Sequence, residues 1–311
     1  MIERLLAAFS RSVRERRYRW RWLGYLLTTA ALFYLAYVLI GSSTRLRQVD
    51  LSNYLMPVLA AIGIYLVSLI VQFVVWARMI SFHRQVGWED IEIYARTILM
   101  RRLPGGPWHW VGRISMYSSS TELPAKVSAA GSLVEWTLVL LVGAGLFVAV
   151  VEGLPALLRA SLLSAATGLA LAIAIGWQPR TRSRGARLAE AIFWIFLYAV
   201  AWQAGLAIFL AIANTTGAGL GWLEGMKVWM VAGGLGVITV VLPFTLGILE
   251  ASLVLLLQPY LDPLLALVVA LMIRLIYVAG DGLWGFLGWQ FGRLMFLRKP
   301  YITSTDEPSG A

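Results

Sequence analysis

Eight apolar stretches, parted by arginine-bearing linkers, decide more about this chain than any single motif. They run over Trp22–Gly41, Tyr54–Ala77, Ser128–Val151, Pro155–Trp177, Leu188–Ala213, Gly225–Leu242, Leu246–Leu257 and Leu261–Phe291. A helix rises 1.5 Å per residue, so about 20 residues cross a hydrocarbon core of about 30 Å. Backbone in lipid must satisfy its own hydrogen bonds, which a helix does within one segment. The chain is 59% hydrophobic and only 14% charged, where soluble domains carry about a quarter. The fold predicted is an all-α, polytopic integral membrane bundle with about eight crossings. Two of these are short: Leu246–Leu257 reaches only about 18 Å.

The arginines set the expected topology. Arg4, Arg11, Arg14, Arg16, Arg17, Arg19 and Arg21 crowd a basic arm over residues 1–21, and such density marks the cytoplasmic side. Arg180, Arg182, Arg184 and Arg187 place a second loop inside, Arg293, Arg298 and Lys299 do the same after the last span, and Asn214–Gly221 falls outside. Both termini are thus expected in the cytoplasm of a cell with this protein in its inner (plasma) membrane. The domains expected are the arm, one transmembrane domain over 22–291 and a cytoplasmic tail over 292–311. Trp22–Gly41 is long enough to span and has no small-residue cleavage site behind it, unlike a cleavable signal.

Several chemistries are excluded. The net charge of +10 is dispersed between spans rather than gathered on one face, which suits anionic lipid heads and not nucleic acid. With no cysteine and only His83 and His109, thiolate and histidine metal sites are not expected. No nucleophile elbow, paired-acid loop or glycine-rich nucleotide motif is visible, so neither catalysis nor a cofactor is expected. Gly233-Gly234-Leu235-Gly236 lies in an apolar helix, where small residues serve close packing.

Two places break the helical pattern, and broken segments in corresponding positions mark binding sites in repeat-built transporters. The first is Leu103-Pro104-Gly105-Gly106-Pro107-Trp108-His109-Trp110-Val111-Gly112-Arg113. A half-helix starting at Pro104 or Pro107 would point free N–H groups at an anion. Arg101, Arg102 and Arg113 flank it, and guanidinium matches phosphate bidentately. Trp108 and Trp110 either line an acyl or prenyl path or form an interfacial belt. His109 is either a satisfied interfacial residue or a proton carrier. The second break runs from Pro243 through Gly247 to Glu250. An inverted repeat relating the halves rests on position alone, since no sequence identity between them is visible.

Among the ionisable residues of the apolar runs, Glu135, Glu250, Arg274 and Asp281 stand out. A charge at that depth costs on the order of 3 kcal/mol on insertion scales, so each must face the bundle interior and find a partner. They are predicted to form one intramembrane network. Whether it is structural, exchanges partners or couples to protons is left open by the residues themselves.

Leu103-Pro104-Gly105-Gly106-Pro107-Trp108 with Gly112-Arg113, the small-residue start of the Glu135 helix, and Pro243-x-x-Leu246-Gly247-x-x-Glu250 followed by Ala251-Ser252-Leu253 resemble a known pattern. It is that of the transmembrane, flippase-type region of lysylphosphatidylglycerol synthase, whose synthase-free members are associated with glycan assembly. Phe244 and Thr245 replace two glycines of the second motif, and Leu249 stands where many members carry arginine. The resemblance implies translocation of an anionic phospholipid or a polyprenyl-phosphate-linked glycan. Its lipid head would meet Arg101, Arg102, Pro104, Gly105, Gly106, Trp108, His109, Gly112, Arg113, Pro243, Gly247 and Glu250. Aminoacyl transfer is not expected, because only Arg298–Ala311 follows the last span. The alternative is a non-transporting scaffold or regulator of a membrane glycosyltransferase or lipid-modifying enzyme. Membrane lipids, such an enzyme or a second copy in a homodimer are the expected partners.

Overall fold

The computed structural model describes residues 29–41, 51–102, 108–121, 123–151, 154–241 and 247–296. These fold into helices with no strand among the described residues. In chain order they are α1 (Thr29–Gly41), α2 (Leu55–Ile80), α3 (Trp88–Leu99), α4 (Trp108–Ser120), α5 (Ala125–Val150), α6 (Ala156–Trp177), α7 (Arg184–Thr215), α8 (Trp222–Val241), α9 (Ile248–Leu257) and α10 (Pro263–Phe296). Single 3-10 turns precede α2 and follow α3.

Five helices are long and apolar enough to cross a membrane: Ser52–Ile80, Ala125–Val150, Ala156–Trp177, Arg184–Thr215 and Pro263–Phe291. The shortest, at 22 residues, reaches about 33 Å. The chain is therefore an all-α integral membrane bundle. Among the described residues α1 and α9 are shorter apolar helices, and α8 has 20 residues, so a count of eight crossings needs all three beside the five. Of the first expected span, Trp22–Thr28 lies outside the described residues.

The core has two parts that share α2 and α7. On one side Val75 and Met79 of α2 meet Leu138 and Val142 of α5, Ala170 and Ala174 of α6, and Ala191, Trp194 and Tyr198 of α7. On the other, Ala61, Tyr65 and Leu69 of α2 join Leu206 and Phe209 of α7, Trp229 of α8, Leu253 of α9 and Ile273 of α10. Ala61, Tyr65, Ser68, Val75 and Met79 follow helical spacing along one face of α2, which makes it a pillar between the two halves.

The stretch between Arg78 and Lys126, polar by composition, folds into α3 and α4 rather than a loop. Neither is among the spanning helices. Helix α3 lies along α10 because glycines there leave room. A β-carbon at Gly288 would run into Ala95, and one at Gly285 would stand 2.7 Å from the Leu99 side chain. Helix α4 then packs between α3 and α5, and its inward face builds the site.

Candidate functional site

Helix α4 turns one polar stripe inward. His109, Arg113 and Tyr117, at spacings of four, are buried, while Trp108 and Val111 are exposed. Buried polar side chains of this kind need partners on the neighbouring helices. The Arg113 guanidinium, 1% exposed, donates through Nη1 to Glu135 Oε2 on α5 at 2.5 Å. Its carbon lies 4.2 Å from the centre of the Trp76 ring and 4.5 Å from that of Tyr94, within cation–π range. The Tyr94 hydroxyl donates to the other carboxylate oxygen at 3.4 Å. An isolated charge so deep would be costly, and the pair is retained only because each member holds the other.

A second set of bonds fixes this arrangement from behind. Trp76 Nε1 donates to the Tyr117 hydroxyl at 2.9 Å, and Tyr117 donates to Asp90 Oδ1 at 2.9 Å. Asp90, fully buried, also takes Arg84 Nη2 at 2.5 Å and the Gly87 N–H at 2.7 Å, the latter tying it to the start of α3. Burial, and after it the Asp90 carboxylate, pushes the Tyr117 hydroxyl far above the ordinary tyrosine range, so it remains a neutral donor. One chain of bonds thus joins α2, α3 and α4 to the ion pair.

Further polar atoms surround Glu135. Ser128 and Ser132 share its face of α5, at spacings of four and three, and are buried with it. Their hydroxyls and that of Tyr198 on α7 have no hydrogen-bond partner among the described residues. Buried polar atoms are normally bonded, and groups that are not invite an explanation such as a polar ligand.

Next to Glu135 on α5, Trp136 opens a cavity of about 540 Å³. Leu140, Gly143 and Phe147 continue its wall along α5, with Trp202 from α7 and Met230 and Gly234 from α8. Its size falls in the roughly 300–1,000 Å³ range of ligand pockets. Gly143 is required there, since a β-carbon would stand 2.6 Å from the Trp202 ring, which is held by its own bond to the Val139 carbonyl at 3.0 Å. The ring of Trp110 meets Trp136 edge-on at 5.7 Å, and His109 lies 4.8 Å from Trp110. An aromatic row therefore leads from the start of α4 to the cavity.

The residues singled out by sequence are placed as follows. Pro104, Gly105, Gly106 and Pro243 lie outside the described residues, as does the side chain of Arg102. The described part of α4 does begin at Trp108, directly after Pro107. Trp108 is exposed and His109 buried. Gly112 abuts Met100, into which a β-carbon would run, so its role is helix packing. Arg101 donates to Gln72 at 3.4 Å. Gly247 has φ +85°, in the left-handed region that glycine tolerates, and it starts α9 three residues before Glu250.

Two expectations are corrected. Arg113, expected to face a lipid head as an open cavity charge, is enclosed and committed to Glu135, because the polar stripe of α4 turns inward. Among the described residues the four intramembrane charges are held by different partners. Glu135 pairs with Arg113, Glu250 of α9 pairs with Arg274 of α10, and Asp281 accepts from Tyr65 at 2.6 Å. Seven residues of helix separate Asp281 from Arg274 by about 10 Å, which sets it opposite α2 instead of α9. Trp76, Asp90, Tyr94 and Tyr117 were not anticipated. The spacing of Asp90 and Tyr94, and of His109, Arg113 and Tyr117, is the signal that marks their shared faces.

No family model, curated protein or solved structure matches this chain.

Proposed function

We propose that the chain is a flippase-like lipid translocase of the lysylphosphatidylglycerol-synthase transmembrane type. It would move an anionic phospholipid or a polyprenyl-phosphate-linked glycan across the inner membrane, with both termini in the cytoplasm. The observation that carries the reading is the juxtaposition at Glu135. A buried guanidinium–carboxylate pair, beside hydroxyls that are unbonded among the described residues, sits on α5 next in sequence to Trp136, which lines an apolar cavity. A lipid needs both environments, polar for the head and apolar for the chain. The head's phosphate would take the place of Glu135 on Arg113, since both are oxyanions that fit the guanidinium fork. The chain would occupy the Trp136–Trp202 cavity. A polar route between helices lowers the cost of carrying a charged head through hydrocarbon.

The test uses the full chain reconstituted into vesicles with labelled phosphatidylglycerol or a labelled polyprenyl-phosphate glycan, scored by the fraction reaching the opposite leaflet. The wild type should move one class faster than protein-free vesicles. Ala144→Phe, which fills the cavity and leaves the ion pair intact, should slow it. Arg113→Lys, which keeps the charge and loses the planar fork, should slow it in part. No movement of either class, with the protein folded, overturns the proposal and favours a scaffold for a membrane glycosyltransferase.

A further inference from the structure

A different group of charges lies where α2 and α6 end and α7 begins. Arg78, in the last turn of α2, and Arg182, in the α6–α7 linker, each stand 3.9 Å from the same oxygen, Oε2 of Glu190. Their side chains are 55% and 40% exposed, against 12% for Glu190. Two cations facing one carboxylate leave one positive charge in excess. The carboxylate is also held from its other oxygen, which accepts Trp194 Nε1 at 3.0 Å. At 3.9 Å neither arginine makes a close bond to it, since charge-assisted bonds are about 2.7–2.9 Å.

Both guanidiniums are nevertheless held in place. Arg78 lies over the Phe193 ring at 5.9 Å and Arg182 over Phe82 at 5.1 Å, and Phe82 in turn packs on Trp194 at 6.0 Å. These ring contacts reduce, without abolishing, the freedom that binding would otherwise remove. On the neighbouring face of α7, beside the Phe193 ring that Arg78 covers, Ile192, Phe196 and Val200 are exposed at spacings of four. These form an apolar strip about 12 Å long on the side of α7 where the Arg78 guanidinium lies.

We propose that Arg78 and Arg182 dock the phosphodiester of one anionic phospholipid, whose acyl chains lie along Ile192, Phe196 and Val200. One excess charge matches the single negative charge of a phosphodiester, and a cationic rim above an apolar strip is the complement of a lipid rather than of a dissolved anion. Glu190 sets the affinity by competing for the same guanidiniums. The site is separate from the Arg113–Glu135 pair and does not depend on translocation.

Native mass spectrometry of the full chain in detergent micelles, titrated with dioleoylphosphatidylglycerol, counts the lipids bound and gives the affinity of the first. Dioleoylphosphatidylcholine and inorganic phosphate are the comparison probes. Phosphatidylglycerol should bind first and more tightly than phosphatidylcholine, and millimolar phosphate should not displace it. The Arg78→Gln/Arg182→Gln variant should lose about fivefold for each arginine removed, while Arg180→Gln/Arg184→Gln, equal in charge but outside the pair, should stay within about twofold. Glu190→Gln should bind phosphatidylglycerol more tightly, and this sign decides the matter if the double arginine variant fails to fold. An equal loss in both arginine pairs would show diffuse surface charge and overturn the site. Equal binding of phosphatidylcholine, or displacement by phosphate, would overturn the lipid assignment.

Discussion

Replacing Arg113 with alanine removes more than a charge. The substitution strands Glu135, which is 10% exposed at its side chain, and empties the space between the Trp76 and Tyr94 rings, 4.2 and 4.5 Å from the guanidinium. Breaking a buried pair by removing one partner costs about 3–5 kcal/mol. Each cation–π contact contributes roughly 0.5–2 kcal/mol, and these do not add independently to the pair. The expected loss for Arg113→Ala is therefore about 4 kcal/mol, a large part of the stability of an ordinary domain. Glu135→Gln alone leaves the guanidinium uncompensated and should cost a similar amount. Arg113→Met with Glu135→Gln removes both charges while keeping volume, and should recover about half of the single loss or more. Unfolding by graded denaturing detergent in mixed micelles, with tryptophan fluorescence as the reporter, completes the double-mutant cycle. An Arg113→Ala protein with the wild-type midpoint, or a double variant no better than the worse single one, would refute the assignment of this pair as a mutual necessity.

Arg274→Met should cost less, roughly 1–3 kcal/mol, because its side chain is 41% exposed although Glu250 is buried. Adding Glu250→Gln should restore part of that loss, whereas adding Asp281→Asn should not; the same detergent titration reads both. Cysteines placed in this cysteine-free chain at Ser183 and Thr216, at the two ends of the 32-residue α7, should react with an impermeant maleimide from opposite membrane faces. Reaction of both from one face would rule out α7 as a crossing.

What the sequence made legible follows from how strongly lipid constrains a chain. Long apolar runs have one outcome in a bilayer, so α5, α6 and α7 begin or end within a few residues of the stretches read from hydropathy. Charges inside those runs announced that they needed partners, and Glu135 and Arg274 each have one. The partner's identity was not legible for Glu135. Arg113 lies 22 residues away, in a stretch whose polarity suggested the surface. Polarity means exposure only where the surroundings are water. On α4 the stripe of His109, Arg113 and Tyr117 turns inward, where Glu135 and Asp90 receive Arg113 and Tyr117, while Ser115 and Ser118 stay exposed. Asp90, Tyr94 and Tyr117 escaped notice for the same reason. Each is unremarkable by type, and only the packing of α3 onto the glycines of α10 brings them behind the ion pair.

That packing bears on how the proposed site would work. Arg113 is held by two aromatic rings and one carboxylate, and the rings belong to α2 and α3, which are braced through Tyr117 and Asp90. The carboxylate belongs to α5, across a different contact. If α5 shifts relative to α4, the guanidinium keeps its aromatic cradle and loses only Glu135. Leaving it buried without a carboxylate would cost several kcal/mol, so a shift alone is disfavoured. A phosphate arriving as Glu135 leaves replaces one oxyanion with another and avoids most of that cost. The buried hydroxyls of Ser128, Ser132 and Tyr198 would then receive either the displaced carboxylate or the remaining oxygens of the head. On this reading the ion pair is a latch that an anionic head opens. Ser132→Val should then slow translocation without weakening the fold, because the serine hydroxyl makes no bond among the described residues and the valine fills similar space. Normal transport by Ser132→Val would exclude that hydroxyl from the exchange.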